Sequence, residues 1–165
     1  MEQCFKFNQI TRLHLQSVIQ ACKKAIIQFS KPENCYDNHE FLVSTSCQNT
    51  VYSWIDNKLF SGALAIMFLF LKKHSDPQSP ISLVIGNAGT NTCQLLISSG
   101  NLAPFNNYAE PVSLTSTELD ITELESFQYI MDMHGSYMQL WRNRDTHEYA
   151  FEIDFLCICK DKVLL

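Results

Sequence analysis

Apolar and polar positions follow two rhythms along this chain, and the places where the rhythm changes mark its elements. Leu15, Val18, Ile19, Cys22, Ile26 and Phe29 recur at three- and four-residue spacing, with Gln16, Gln20, Lys23, Lys24 and Gln28 on the other side. That period predicts an amphipathic helix over 15–29, ended before Pro32. From His39 to Ser46, Phe41, Val43 and Thr45 alternate with Leu42 and Ser44, which predicts a strand. Val51, Tyr52, Trp54 and Ile55 predict a second strand, with Asn49 marking the turn between the two. Asp56 and Asn57 then supply helix-capping chemistry ahead of Leu59 to Leu71, which is apolar nearly all round and closes with Lys72, Lys73 and His74. A helix with no polar face must be covered on several sides, so this one is expected at the centre of the core.

Ile81 to Ile85 and Cys93 to Ile97 are short apolar runs separated by Gly86, Asn87, Gly89 and Asn91, and they read as an antiparallel pair. Ser98 to Thr117 loses periodicity and collects Gly100, Pro104, Asn106, Asn107 and Pro111, so a loop of about twenty residues is expected there, a length usually kept for function. Two capping-box spacings, Thr115 to Glu118 and Thr117 to Asp120, precede a third helix with Leu124, Phe127, Ile130, Met131 and His134 on its apolar face. Gly135 stands where a left-handed C-terminal residue belongs. Tyr137 to Arg142 and Glu148 to Ile158 predict the last two strands, the second with one apolar and one acidic face. Strands arriving in hairpin pairs with helices between them predict an α+β fold. The expected form is a two-layer α/β sandwich, a mixed and mostly antiparallel sheet with helices on one face.

Composition narrows the class. The chain has 165 residues, 46% of them apolar, and 12 basic against 17 acidic side chains give a formal charge of −5. Such a chain has the apolar content for a compact core, and its acidity argues against nucleic acid as a partner. No apolar run approaches the ~20 residues needed to span a bilayer, so no membrane association is expected. The N-terminus has no secretory pattern, and the seven cysteines are odd in number and scattered, as expected of reduced thiols in a cytoplasm.

Three stretches carry a resemblance. Trp54-Ile55-Asp56 leads into an apolar helix, Leu95-Leu96-Ile97-Ser98-Ser99-Gly100 ends a strand in a glycine, and Ile130-Met131-Asp132-Met133-His134-Gly135-Ser136-Tyr137-Met138 joins a helix end to a strand start. Together they resemble the ATP-binding domain of bacterial sensor histidine kinases, the Bergerat-like fold of the GHKL superfamily. The resemblance covers about residues 14 to 158. It implies 1–34 as an N-terminal amphipathic helical segment and 35–165 as the ATPase-like domain.

The chemistry departs from that family. Aligning Asp56 with the family's Asp puts Ile66 and Phe70 where magnesium-binding Asn residues are implied, and Mg²⁺ requires hard oxygen ligands. Ser98 falls at the adenine-binding Asp, a loss worth ~1.5–3 kcal/mol for a hydrogen bond to a charged acceptor. Gly100 remains, but Leu102 replaces the next glycine. The second glycine box reads Ile121, Thr122, Glu123, Leu124, and Glu118, Asp120 and Glu123 add negative charge where a triphosphate would dock on a helix N-terminus. The expectation is a degenerate domain with a vestigial nucleotide pocket at Ile66, Phe70, Ser98, Gly100 and Leu102. It would have no cofactor, no metal and no catalytic residue, and it would act as a signalling or scaffold protein through a protein partner.

Two alternatives follow from the same residues. His14, after Arg12 on the first expected helix, is a phosphoacceptor candidate for relaying phosphate to a response-regulator receiver domain, with His39 a second. However, Leu15 stands where the family has an acid, and Ile19 where it has Pro. The other alternative is a small molecule held in the old pocket, made smaller and more apolar by Phe70, Leu102 and Phe105. The helix over 15–29 is also a candidate surface for a homodimer.

Overall fold

The computed structural model describes residues 13–30, 40–45, 51–76, 78–99, 109–112, 122–146 and 148–159. The first element is a strand, β1 (His14–Ser17), and the helix α1 (Val18–Phe29) starts only after it. The expected start at Leu15 is therefore corrected. Ser17 is the N-cap, its hydroxyl accepting from the Gln20 amide, while Leu15 is used in strand pairing instead. α1 buries Val18, Ala21, Cys22, Ala25 and Phe29, the stripe its period predicts. That stripe packs on α2 (Asn57–Lys73), so the segment 1–34 supplies a helix to the common core. Within that face, Val18, Cys22 and Phe29 are buried in the chain's own core, and Ile19 and Ile26 are partly buried against it.

α2 is held at its start by Asp56, whose Oδ1 accepts from the amides of Lys58 and Leu59 at 3.1 Å each. Phe60, Ala63, Leu64, Met67, Phe68 and Leu71 are fully or almost fully buried, which makes α2 the central helix. Phe68 meets Phe29 of α1 and Phe41 edge-on, at 5.8 and 5.2 Å. These contacts tie β2 (Phe41–Thr45) to both helices.

The main sheet has six strands in the order β2-β4-β5-β8-β7-β6. The strands after β2 are β4 (Ile81–Asn87), β5 (Thr92–Ser99), β6 (Ala109–Pro111), β7 (Tyr137–Asn143) and β8 (Tyr149–Leu156). β2 runs parallel to β4 and the other described pairs are antiparallel, so the sheet is mixed and mostly antiparallel, as expected. Leu83, Ile85, Leu95, Ile97, Phe151 and Ile153 are buried under the helices. The third helix, α3 (Thr122–Met133), packs on α2 and β7. It ends at Gly135, whose φ of +63° is the left-handed conformation the sequence implied there.

Four expectations about strands change. β3 (Val51–Ile55) does not form a hairpin with β2; it lies in a separate three-stranded sheet, β1-β3-β9, where β9 is Ile158–Cys159. The Asn49 turn signal is local and carries no information about which strand β2 will pair with. The last strand is broken at Cys157, whose amide donates to the Asn91 carbonyl at 2.9 Å as the chain passes from the large sheet to the small one. Within the expected 98–117 loop, β5 continues to Ser99. The short β6 pairs with β7, anchored by Glu110 against Arg142 and Arg144 at 2.6 and 2.8 Å. The two capping-box spacings lie outside the described residues.

Candidate functional site

Ile66 and Phe70 are one helical turn apart on α2 and so share a face. Their surroundings differ. Ile66 is 37% exposed and Phe70 only 2%. The Phe70 ring lies over the His74 imidazole with centroids 4.4 Å apart, and meets Tyr149 and Phe151 of β8 edge-on, both at 5.5 Å. His74 and Tyr149 close the group at 5.8 Å. Aromatic rings thus fill the space between the last turns of α2 and the start of β8. Each such pair adds ~0.5–1.5 kcal/mol beyond area burial.

Beyond this cluster, the register of β5 sets which serine joins the same side. Ile97 pairs with Leu83 and Phe151, and Ser98 with Ser82 and Ala150. Because side chains alternate along a strand, Ser98 lies with Gln94 and Leu96 on the face away from α2. Ser99, one residue after the Ser98 that the resemblance sets at the adenine-binding Asp, lies on the helix side. Ser99 is fully buried, and its Oγ has no hydrogen-bond partner among the described residues. A desolvated hydroxyl of this kind costs ~1–3 kcal/mol. The alternation of Cys93, Leu95 and Ile97 carries the signal for Ser99 in the sequence.

The remaining candidate residues do not converge here. Gly100, Leu102 and His39 lie outside the described residues. His14 is exposed on β1, paired with Ile55, and so stands on a strand rather than on the helix expected for a phosphoacceptor. At the end of α2, Lys72 is buried, and its ammonium donates to the Ser79 carbonyl at 2.8 Å. Burial lowers its pKa, with the Asp76 charge opposing.

Solved structures share this fold. The mycobacterial sensor histidine kinase MprB superposes with a TM-score of 0.66 at 12% identity, covering 89% of this chain and 99% of that one. A nucleotide-free catalytic domain of the histidine kinase ThkA gives 0.64 at 9% identity over 87% and 96%. The histidine kinase domain of the E. coli osmosensor EnvZ gives 0.60 at 12% over 90% and 91%. The architecture is that of the histidine-kinase ATP-binding domain. No family model matches the chain, and no curated protein matches it in sequence.

The fold implies a magnesium nucleotide, and the resemblance sets its oxygen ligands at two positions of α2. α2 offers Ile66 and Phe70 in place of oxygen ligands, and the Phe70 ring stands against β8. No group of three or more His, Cys, Asp or Glu side chains among the described residues could hold a metal ion. Nor is any described helix long and apolar enough to cross a membrane.

Proposed function

We propose that this chain is a non-catalytic signalling or scaffold module, built on the histidine-kinase ATP-binding fold, that has lost ATP and magnesium binding and acts through protein contacts. One observation carries the reading: Phe70 is 2% exposed and packs on His74, Tyr149 and Phe151, closing the helix side of the sheet with rings. The fold tolerates this because its core is ordinary helix-on-sheet packing, which makes no use of a ligand. A response-regulator receiver is the partner class that the fold suggests, since one similar structure is that of ThkA in complex with the response regulator protein TrrA.

The test is thermal unfolding with and without millimolar ATP or ADP and Mg²⁺. A ligand at one hundred times its Kd would add ~2.7 kcal/mol of stability, several degrees for a chain of this size. No shift is expected. A shift of that order would overturn the proposal.

The buried Ser99 Oγ, unpartnered among the described residues, favours a second reading, a small uncharged molecule that hydrogen-bonds to that hydroxyl in the remodelled cleft. Native mass spectrometry of protein purified without nucleotide would reveal it as a reproducible mass adduct, lost in Ser99→Ala.

A further inference from the structure

Large apolar side chains are exposed side by side where the two sheets meet. Leu15 pairs with Trp54, and Ser53, next to Trp54 on β3, donates its Oγ to the Leu156 carbonyl at 2.7 Å, which brings the end of β8 against β3. Tyr137 is in register with Asp154, two residues before Leu156 on the same face of β8. Leu15, Trp54, Leu156 and Tyr137 are 43%, 55%, 70% and 59% exposed. Contiguous exposed apolar patches of this kind mark interaction sites, and Trp and Tyr are the side chains that most often anchor them.

Among the described residues, the charged side chains on the face of Leu156 are acidic. Glu152 and Asp154 share the face of Leu156 and are held by neutral donors. Gln94 Nε2 reaches them at 2.6 and 3.2 Å, and Trp141 Nε1 reaches Glu152 at 2.7 Å. These bonds fix the carboxylates in place without cancelling their charge. No cation among the described residues pairs with either.

From this we infer that the Leu15–Trp54–Leu156–Tyr137 face docks a protein segment carrying large apolar side chains and at least one Lys or Arg. The inference rests on the partner-binding reading above and names its surface. The apolar side chains of the segment cover Trp54 and Leu156, and its cation meets Asp154 and Glu152. Charge complementarity selects this occupant over the others. None of the patch residues is cationic, so a second copy that met this face with the same face would leave the acids of both copies unmatched. Anionic lipid headgroups and phosphate backbones would be repelled by the same carboxylates.

The experiment pans random peptides displayed on phage against the full chain, then measures synthetic versions of the enriched peptides on three proteins: wild type, Leu156→Ser and Asp154→Lys. Both positions are on the outer face of the sheet, and circular dichroism with a melting curve verifies that the variants fold; Trp54→Ser is the substitute if either does not. The expected result is enrichment of peptides that combine aromatic or aliphatic residues with Lys or Arg, binding each variant about tenfold or more weakly, ~1.4 kcal/mol. Enriched peptides that bind the variants as tightly as wild type, a consensus without basic residues, or no enrichment at all would each overturn the inference. The nucleotide melting test on the same preparation reads the cleft independently. A nucleotide shift with patch-directed peptides would remove the loss-of-nucleotide reading alone, and no shift with no such peptides would remove the docking face alone.

Discussion

The imidazole of His134 accepts a hydrogen bond on Nε2 from the backbone N–H of Asp56 at 3.0 Å, across 78 residues of sequence. Its Nδ1 lies 2.6 Å from the Ile130 carbonyl, so the proton sits on Nδ1 and donates there. His134 thus joins the end of α3 to the cap of α2 and rests against Phe60 with ring centroids 5.5 Å apart. The His-Gly pair that resembles the kinase family is structural here.

Replacing His134 with Ala should therefore destabilise the chain by about 2–4 kcal/mol, since it leaves the Asp56 amide without its partner and opens a gap beside Phe60. Urea unfolding of the variant checks this. A loss under about 0.5 kcal/mol, the range of ordinary surface substitutions, would show that the bridge carries no stability.

Phe70→Ala should cost about 3–5 kcal/mol, because the ring it removes is buried against three other rings. The double variant Ile66→Asn, Phe70→Asn restores the amides that the kinase resemblance implies. It should still show no melting shift with magnesium and ATP, since Tyr149 and His74 remain in the cleft and the helix-side strand position is Ser99. Recovery of nucleotide binding would mean that those two side chains alone had closed it.

Acid sensitivity should trace partly to β6. Hydrogen bonds from Arg142 and then Arg144 hold the Glu110 carboxyl below its ordinary range. A carboxylate depressed in the folded state adds stability above its unfolded pKa, near pH ~4.3, and that stability is lost as pH falls through the folded value. Glu110→Gln should flatten the acid limb of a stability-against-pH curve below about pH 5 and leave the slope near neutrality unchanged. Denaturation midpoints from pH 2 to 7 would measure both.

At the alkaline end, burial raises the Cys22 thiol to about 12. A raised acid contributes stability that is complete below its unfolded pKa, near ~8.5, and is lost as pH rises above it toward the folded value. Wild type should therefore lose stability above about pH 9 faster than Cys22→Ala, by at most ~1.4 kcal/mol per pH unit. Cys22, Cys93 and Cys157 are all buried and should resist thiol reagents in the native protein at pH 8, as peptide mass spectrometry would show. Rapid labelling of Cys22 without unfolding would contradict its burial.

The first two helices were legible because their signals are local. The stripe from Val18 to Phe29, the all-round apolar run over α2, and the Asp56 cap each follow from residues within a few turns of one another. The placing of Ile66 and Phe70 one turn apart on α2 was legible for the same reason, since Asp56 fixes the helical count to both. β6 was not, because three residues ending in Pro have no period to detect, and they are held by Arg142 of a distant strand and Arg144 of the turn after it.

Residue order alone thus settled the helices, most of the strands, and the apolar character of α2. Folding in three dimensions settled the pairing of β2 with β4, the transfer of β3 to a second sheet, the placing of Ser99 rather than Ser98 on the helix side of β5, and the meeting of Phe70 with Tyr149. The division has one cause. A helix closes its hydrogen bonds within four residues, so its pattern is written where it forms, whereas a strand takes its partners from anywhere in the chain. A slip of one residue in that pairing turns every side chain to the opposite face.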